Sequence, residues 1–112
     1  MPRLSYRAAA RRDLADIAIY IDQETGSQAA AETFIDKLTA YCEHLSTLRA
    51  PMGRARPDLH ADYRSVTYGK YVIFLRYTNE DGPLSHLYIG NVIPGRRDLA
   101  AYSAKHAFDD DD

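Results

Sequence analysis

At 112 residues, with 46% hydrophobic and 27% charged residues, the chain has the size and composition of one globular domain able to bury a modest core. No apolar run approaches the roughly 18 residues that a membrane span needs, and the N-terminus lacks the apolar core of a secretory signal, so the expected location is cytoplasmic, with no membrane partner. A single cysteine, Cys42, excludes an internal disulfide, and four scattered histidines (His44, His60, His86, His106) give no zinc spacing, so neither metal nor cofactor is expected.

The net charge of −2 is unevenly distributed. Residues 1–48 carry five Lys/Arg against seven Asp/Glu, residues 49–106 carry nine against five, and Asp109 to Asp112 add four negatives, which gives −2, +4 and −4. The positive half calls for an anionic partner or an acidic protein that covers it.

In chain order, Arg3 to Arg7 alternates apolar and polar residues and predicts a short first strand. From Ala8, the residues Leu14, Ile17, Ala18 and Ile21 recur at helical spacing, while Arg12, Asp13, Asp16 and Asp22 fall largely elsewhere. The helix is expected to run to about Glu24 and to stop at Gly26. Ser27 can cap a second helix, in which Ala31, Phe34, Ile35, Leu38, Tyr41, Cys42, Leu45 and Leu48 keep helical spacing until Pro51 ends it. Cys42 lies on that apolar stripe and reads as inert core.

After Pro51 the period changes from 3.6 to 2. A loop bearing Arg54 and Arg56 leads into two β-rich runs, Tyr63 to Tyr68 and Tyr71 to Thr78, separated by Gly69-Lys70, a spacing that suits a hairpin turn with glycine first. If Val66 and Ile73 point toward the helices, Arg64 shares the face of Val66 and Arg76 lies on the opposite one. A further turn leads into Leu84 to Ile93, where Leu87, Ile89, Asn91 and Ile93 alternate with Tyr88, Gly90 and Val92. Pro94 removes a backbone donor and should end this strand or mark a bulge. The expected architecture is α+β: an N-terminal strand, an antiparallel helix hairpin, then a three-stranded antiparallel meander with the helices packed on one sheet face. Residues 1–106 form the domain, and 107–112 are an acidic tail expected to be disordered.

The ordered set Asp13-Leu14-x-x-Ile17-x-x-Tyr20, Phe34-Ile35, Leu45, Pro51-x-Gly53-Arg54, Tyr63-Arg64-Ser65, Tyr71-Val72-Ile73-x-x-Arg76-Tyr77 and Gly95-Arg96-Arg97-Asp98 resembles the ParE toxins of the RelE/ParE superfamily over about residues 3 to 100. The resemblance implies a ParD-like antitoxin partner, a hetero-oligomeric complex with it, and inhibition of DNA gyrase. The RelE branch instead cuts mRNA on the ribosome, which needs converging groups to activate the 2′-hydroxyl, stabilise the phosphorane and protonate the leaving oxygen. By resemblance, Arg64 stands where that branch has its first lysine, Val66 replaces the second, and Val72 replaces an arginine. Arg97 survives, and Tyr102 lies one residue from the register of that branch's tyrosine. A ribonuclease would therefore have to rely on Arg64, Arg97 and Tyr102. The depleted set favours gyrase inhibition, with Arg96, Arg97, Leu99 and Tyr102 as target-binding residues and Arg54, Arg56, Arg64 and Arg76 as contacts for the antitoxin. A third class, a non-enzymatic nucleic-acid-binding module, draws on the nine tyrosines interleaved with arginines, although tyrosine is also a common strand residue. Where the family often has a histidine before the closing glycine, Pro94 stands here.

Overall fold

A computed structural model describes residues 3–48, 51–57, 62–78 and 86–95. The described chain runs β1 (Arg3–Tyr6), α1 (Ala8–Thr25), α2 (Gln28–Thr47), β2 (Arg54–Ala55), β3 (Arg64–Tyr68), β4 (Tyr71–Thr78) and β5 (His86–Pro94). The five strands form one sheet in the order β1-β5-β4-β3-β2, with β1 parallel to β5 and every other pair antiparallel. The expected α+β plan is therefore present. The expected N-terminal strand, β1, forms one edge of the sheet and an additional two-residue strand, β2, forms the other, and the parallel β1–β5 pairing is possible because the helix hairpin supplies part of a long crossover.

Local chemistry sets the boundaries. Gly26 takes the left-handed conformation (φ 69°) that closes a helix, and its N–H donates to Asp22 O at 2.8 Å. One residue later the Ser27 hydroxyl accepts from the Ala30 N–H at 3.1 Å and starts α2. In the β3–β4 hairpin Gly69 has φ 58°, the positive value required at the first central position of such a turn.

The helices cover one face of the sheet. Ala10, Ile17, Leu38, Cys42 and Leu45 pack against Val66, Ile73, Leu75, Leu87, Ile89 and Val92. Removal of this apolar surface from water is the main stabilising term. Strand β5 does not alternate without interruption: Leu75 pairs with Ile89 but Phe74 pairs with Asn91, so Gly90 is an extra residue, a β-bulge. The bulge flips the alternation, so Val92 joins the core beside the helices, whereas Ile93, expected on the face of Leu87 and Ile89, is buried outside that cluster. Pro94 is the last residue of β5, and Gly95 N–H donates to Lys70 O at 2.9 Å. The proline ends the strand as expected, and the bulge lies four residues before it.

Candidate functional site

The register assigns each strand side chain to a face. Arg3 pairs with His86, Ser5 with Tyr88, Arg76 with Tyr88, Thr78 with His86, Phe74 with Ser65, and Arg54 with Ser65. Partners in a ladder point the same way, so Arg3, Arg54 and Arg76 share the face turned away from the helices. Two flanking arginines reach the same face: the Arg7 guanidinium carbon lies 4.8 Å from the centroid of the Tyr88 ring, and that of Arg56 lies 5.5 Å from the centroid of Phe74. None of the five strands contains an aspartate or glutamate, whereas α1 and α2 carry seven between them. The charge asymmetry along the sequence thus becomes an asymmetry between layers, acidic helices over a basic sheet.

On that face Tyr88 of β5 gathers several contacts. Its ring stacks on His86 at 4.1 Å with an interplanar angle of 7°, and both Arg7 and Arg76 (5.9 Å) lie over it. Ser5 Oγ and His86 Nε2 are hydrogen-bonded at 2.7 Å, which orients the imidazole from β1. Arginine held against an aromatic face loses side-chain freedom.

Arg64 has a different setting. It shares the face of Val66, as expected, and its guanidinium donates to Met52 O at 2.9 Å and Gly53 O at 2.8 Å. The Tyr77 hydroxyl accepts from Met52 N–H at 3.2 Å, and burial raises the Tyr77 pKa above its usual value. Together Arg64 and Tyr77 latch the segment that delivers β2. Gly53 has φ 88°, and a Cβ there would lie 2.5 Å from the Ser65 carbonyl oxygen and 2.6 Å from Val66 Cγ1. The Pro51-x-Gly53-Arg54 spacing therefore has a physical basis: glycine lets the loop approach β3 closely enough to seat Arg54 on the outer face.

On the helix side, an open groove of about 1080 Å³ is lined by Asp13, Asp16, Ile17, Tyr20, Tyr71, Pro94 and neighbours. Burial, and secondarily the nearby Tyr20, raise the Tyr71 pKa. Ile19 and Tyr20 on α1, with Met52, are the large apolar side chains most open to solvent among the described residues.

Asp13 is the residue that sequence reasoning misplaced. Counted among the charges away from the apolar stripe, it is in fact buried, and its Oδ2 accepts from Asn91 Nδ2 and from Val92 N–H, each at 2.9 Å. Its spacing from Ala9 and Ile17, four residues each way, was the available signal, since both are core positions on one helical stripe. Of the other sequence candidates, Arg54, Arg56 and Arg76 are brought together on the outer face and Arg64 is not. Arg96, Arg97, Leu99 and Tyr102 lie outside the described residues. No cluster of three or more His, Cys, Asp or Glu that could hold a metal occurs among the described residues, and no described helix is long and apolar enough to cross a membrane.

A helix hairpin on one side of a small mixed sheet, with clustered arginines and aromatic rings on the other, defines a small α+β domain fitted for charged partners. Residues 4–99 match the family described as ParE toxin of type II toxin-antitoxin system, parDE, and the chain belongs to that family. It is thus the toxin of a type II toxin–antitoxin module, and the family implies an antitoxin partner. No curated protein sequence matches it significantly.

Proposed function

We propose that the toxin acts in the cytoplasm by inhibiting DNA gyrase and so blocking replication, and that a ParD-like antitoxin neutralises it. The observation that carries this reading is the fate of the positions at which a ribonuclease would need cations. Val66 lies in the core against the helices, Val72 is apolar, and the Arg64 guanidinium is engaged with the carbonyls of Met52 and Gly53. A phosphorane needs several converging donors, and this part of the sheet does not supply them.

The proposed antitoxin contacts divide by chemistry. An acidic segment covers Arg54, Arg56 and Arg76, with Arg64 holding the loop beneath Arg54, while an amphipathic helix takes the groove beside Ile19 and Tyr20. Target binding is assigned to Arg96, Arg97, Leu99 and Tyr102, which follow β5 in the sequence, within a domain of residues 1–106. The tail 107–112 is assigned no part in toxicity.

The test is a gyrase supercoiling and cleavage assay run beside a ribosome-bound mRNA cleavage assay. Blocked supercoiling with accumulated cleaved DNA and intact mRNA is expected. An Arg96→Ala/Arg97→Ala variant should lose most of that inhibition while keeping its melting temperature, and removal of Asp109 to Asp112 should change nothing. Codon-site mRNA cleavage with unaffected gyrase would refute the assignment.

A further inference from the structure

We infer that the chain following β5, residues 96–108, packs over the C-terminal half of that strand on the sheet face turned away from the helices, with Leu99 and Tyr102 set against Ile93 and Phe74. The inference concerns where this segment sits and does not rest on the gyrase reading: a toxin can inhibit gyrase with the segment free or docked.

Burial on that face is graded along one rung of the sheet. Thr67, Val72 and Ile93 are paired across β3, β4 and β5, and because Val66 and Ile73 face the helices these three point the other way. Thr67 is exposed, Val72 is half-buried and Ile93 is 1% exposed. Phe74, two residues after Val72 on the same face, is 0% exposed and also lies outside the helix-facing core. Apolar side chains on a sheet face lose water under a further layer of chain. The Arg56 guanidinium lies over Phe74, but β2 and β5 are three strand spacings apart, roughly 14 Å at about 4.8 Å each, too far for it to cover Ile93 as well.

The gradient places the cover over β5, and position selects the segment that supplies it. Residues 79–85 join Thr78 to His86, and Val72, the partner of Ile93, lies six positions along β4 from Thr78, roughly 20 Å at about 3.4 Å each. A connection of that length with both ends held there extends no more than about four residues, or roughly 13 Å. Residues 1–2 precede Arg3, which pairs with His86 at the same distant end, while 49–50 and 58–61 lead into β2 and β3, on the exposed side of the gradient. The segment from Arg96 begins three residues after Ile93 and starts on the covered face: Gly95 N–H donates to Lys70 O, and a Cβ on Gly95 would lie 3.7 Å from Val72 Cγ2. Asp98 can cap a helical turn in which Leu99 and Tyr102, three residues apart, share one side. These two then face the sheet and leave Arg96 and Arg97, at the end of β5, to meet the target. Arg54, exposed at the β2 edge, stays outside the cover and within reach of an acidic antitoxin segment.

The experiment is a paramagnetic-relaxation measurement on the purified full-length toxin, spin-labelled at Ser103→Cys in a Cys42→Ala background. The amide signals of Val72, Phe74 and Ile93 should lose most of their intensity, that of Thr67 less, and those of Glu32 and Asp36 in the opposite layer least. Leu99→Ala/Tyr102→Ala in the same background should relieve the broadening at Ile93 and lower the melting temperature by about 5 °C or more. Should that pair of changes unfold the protein, Leu99→Ala alone gives the same two readouts with a smaller loss. Broadening that is absent or even across the sheet would overturn the inference, as would a double variant that melts with its parent and keeps the same broadening. Broadening strongest at Asp16 and Tyr20 would overturn it too, and would put the segment in the groove on the helix side.

Discussion

The two layers of this toxin contrast in charge and in how that charge is held. The helices carry Asp13, Asp16, Asp22, Glu24, Glu32, Asp36 and Glu43 against Arg11, Arg12 and Lys37, and all but Asp13 of those acids are exposed. The strands carry Arg3, Arg54, Arg64 and Arg76 and no acid; Arg64 is braced by two carbonyls and Arg76 lies over the Tyr88 ring. A net charge of −2 thus describes neither surface. The contrast teaches that charge is sorted by layer, so the total says little about what either surface presents. The exception, Asp13, crosses from the acidic layer into the sheet and holds it.

Breaking that exception should give the largest effect. In Asp13→Ala the Asn91 amide and the Val92 N–H lose their acceptor in a buried setting, so the loss of stability should be about 3 kcal/mol, read as a lower urea midpoint at unchanged slope. Asp13→Asn keeps an acceptor oxygen and should cost roughly 1 kcal/mol. Equal losses in the two variants would mean that the negative charge, not the hydrogen-bond geometry, is what β5 requires.

Next comes the latch that places Arg54 on the basic face. Gly53→Ala forces a Cβ against the Ser65 carbonyl at a positive φ, and stability should fall by about 2 kcal/mol. Because the strain lies in the loop that carries β2, hydrogen exchange should rise first at the β2–β3 pairs, with the α1–β5 contact protected as before. Uniform loss of protection would show that the loop is integral to the core.

Much of this was legible in the sequence because its signals are local. Gly26 and Ser27 mark the break between the helices, Gly69 marks the hairpin, and a period of two placed Arg64 and Arg76 on opposite faces of the sheet. What stayed hidden depends on distant partners or single-residue defects. Asp13 looked like surface charge because its acceptor role is defined by Asn91 and Val92, 78 and 79 residues away. The alternation read through Asn91 and Ile93 failed because an extra residue at Gly90 is invisible to a periodicity count. Strand β2 has only two residues, too short to leave a pattern, yet it carries one of the arginines of the face. The ring contacts that bring Arg7 and Arg56 onto that face follow from tertiary packing and have no sequence signature.

Between the layers, α2 contributes Cys42 to the core and β1 contributes Tyr6 against it, and both pKa values are raised chiefly by burial, that of Cys42 to about 11. In the folded state the thiol keeps its proton at pH values where the unfolded chain, near its ordinary 9.0, has lost it. The unfolded state then binds fewer protons, so the stability is full below pH 9 and declines as pH rises from 9 to 11, by about 1 kcal/mol at pH 10 from Cys42 alone. Tyr6 shifts in the same direction and extends the decline. Denaturation midpoints measured from pH 8 to 11 should show this limb, and Cys42→Ala should flatten its lower part. An unchanged limb in that variant would assign the whole effect to tyrosines.

The smallest expected effect sharpens the comparison most. Arg54 is exposed and its strand is two residues long, so Arg54→Ala should alter stability by less than about 0.5 kcal/mol, within the range of ordinary surface substitutions. The same change removes one cation from a sheet whose strands carry no carboxylate, so it should slow association with any polyanionic partner and reduce the salt dependence of that association. Asp13→Ala should do the reverse, lowering stability while the outer arginines keep their attraction in the fraction that stays folded. Measured side by side, the two variants separate the charge that holds the sheet from the charge that the sheet presents. If Arg54→Ala instead lowered the melting temperature as much as Gly53→Ala does, Arg54 would be part of the latch that Arg64 and Tyr77 form, and the basic face would begin at Arg56 and Arg76.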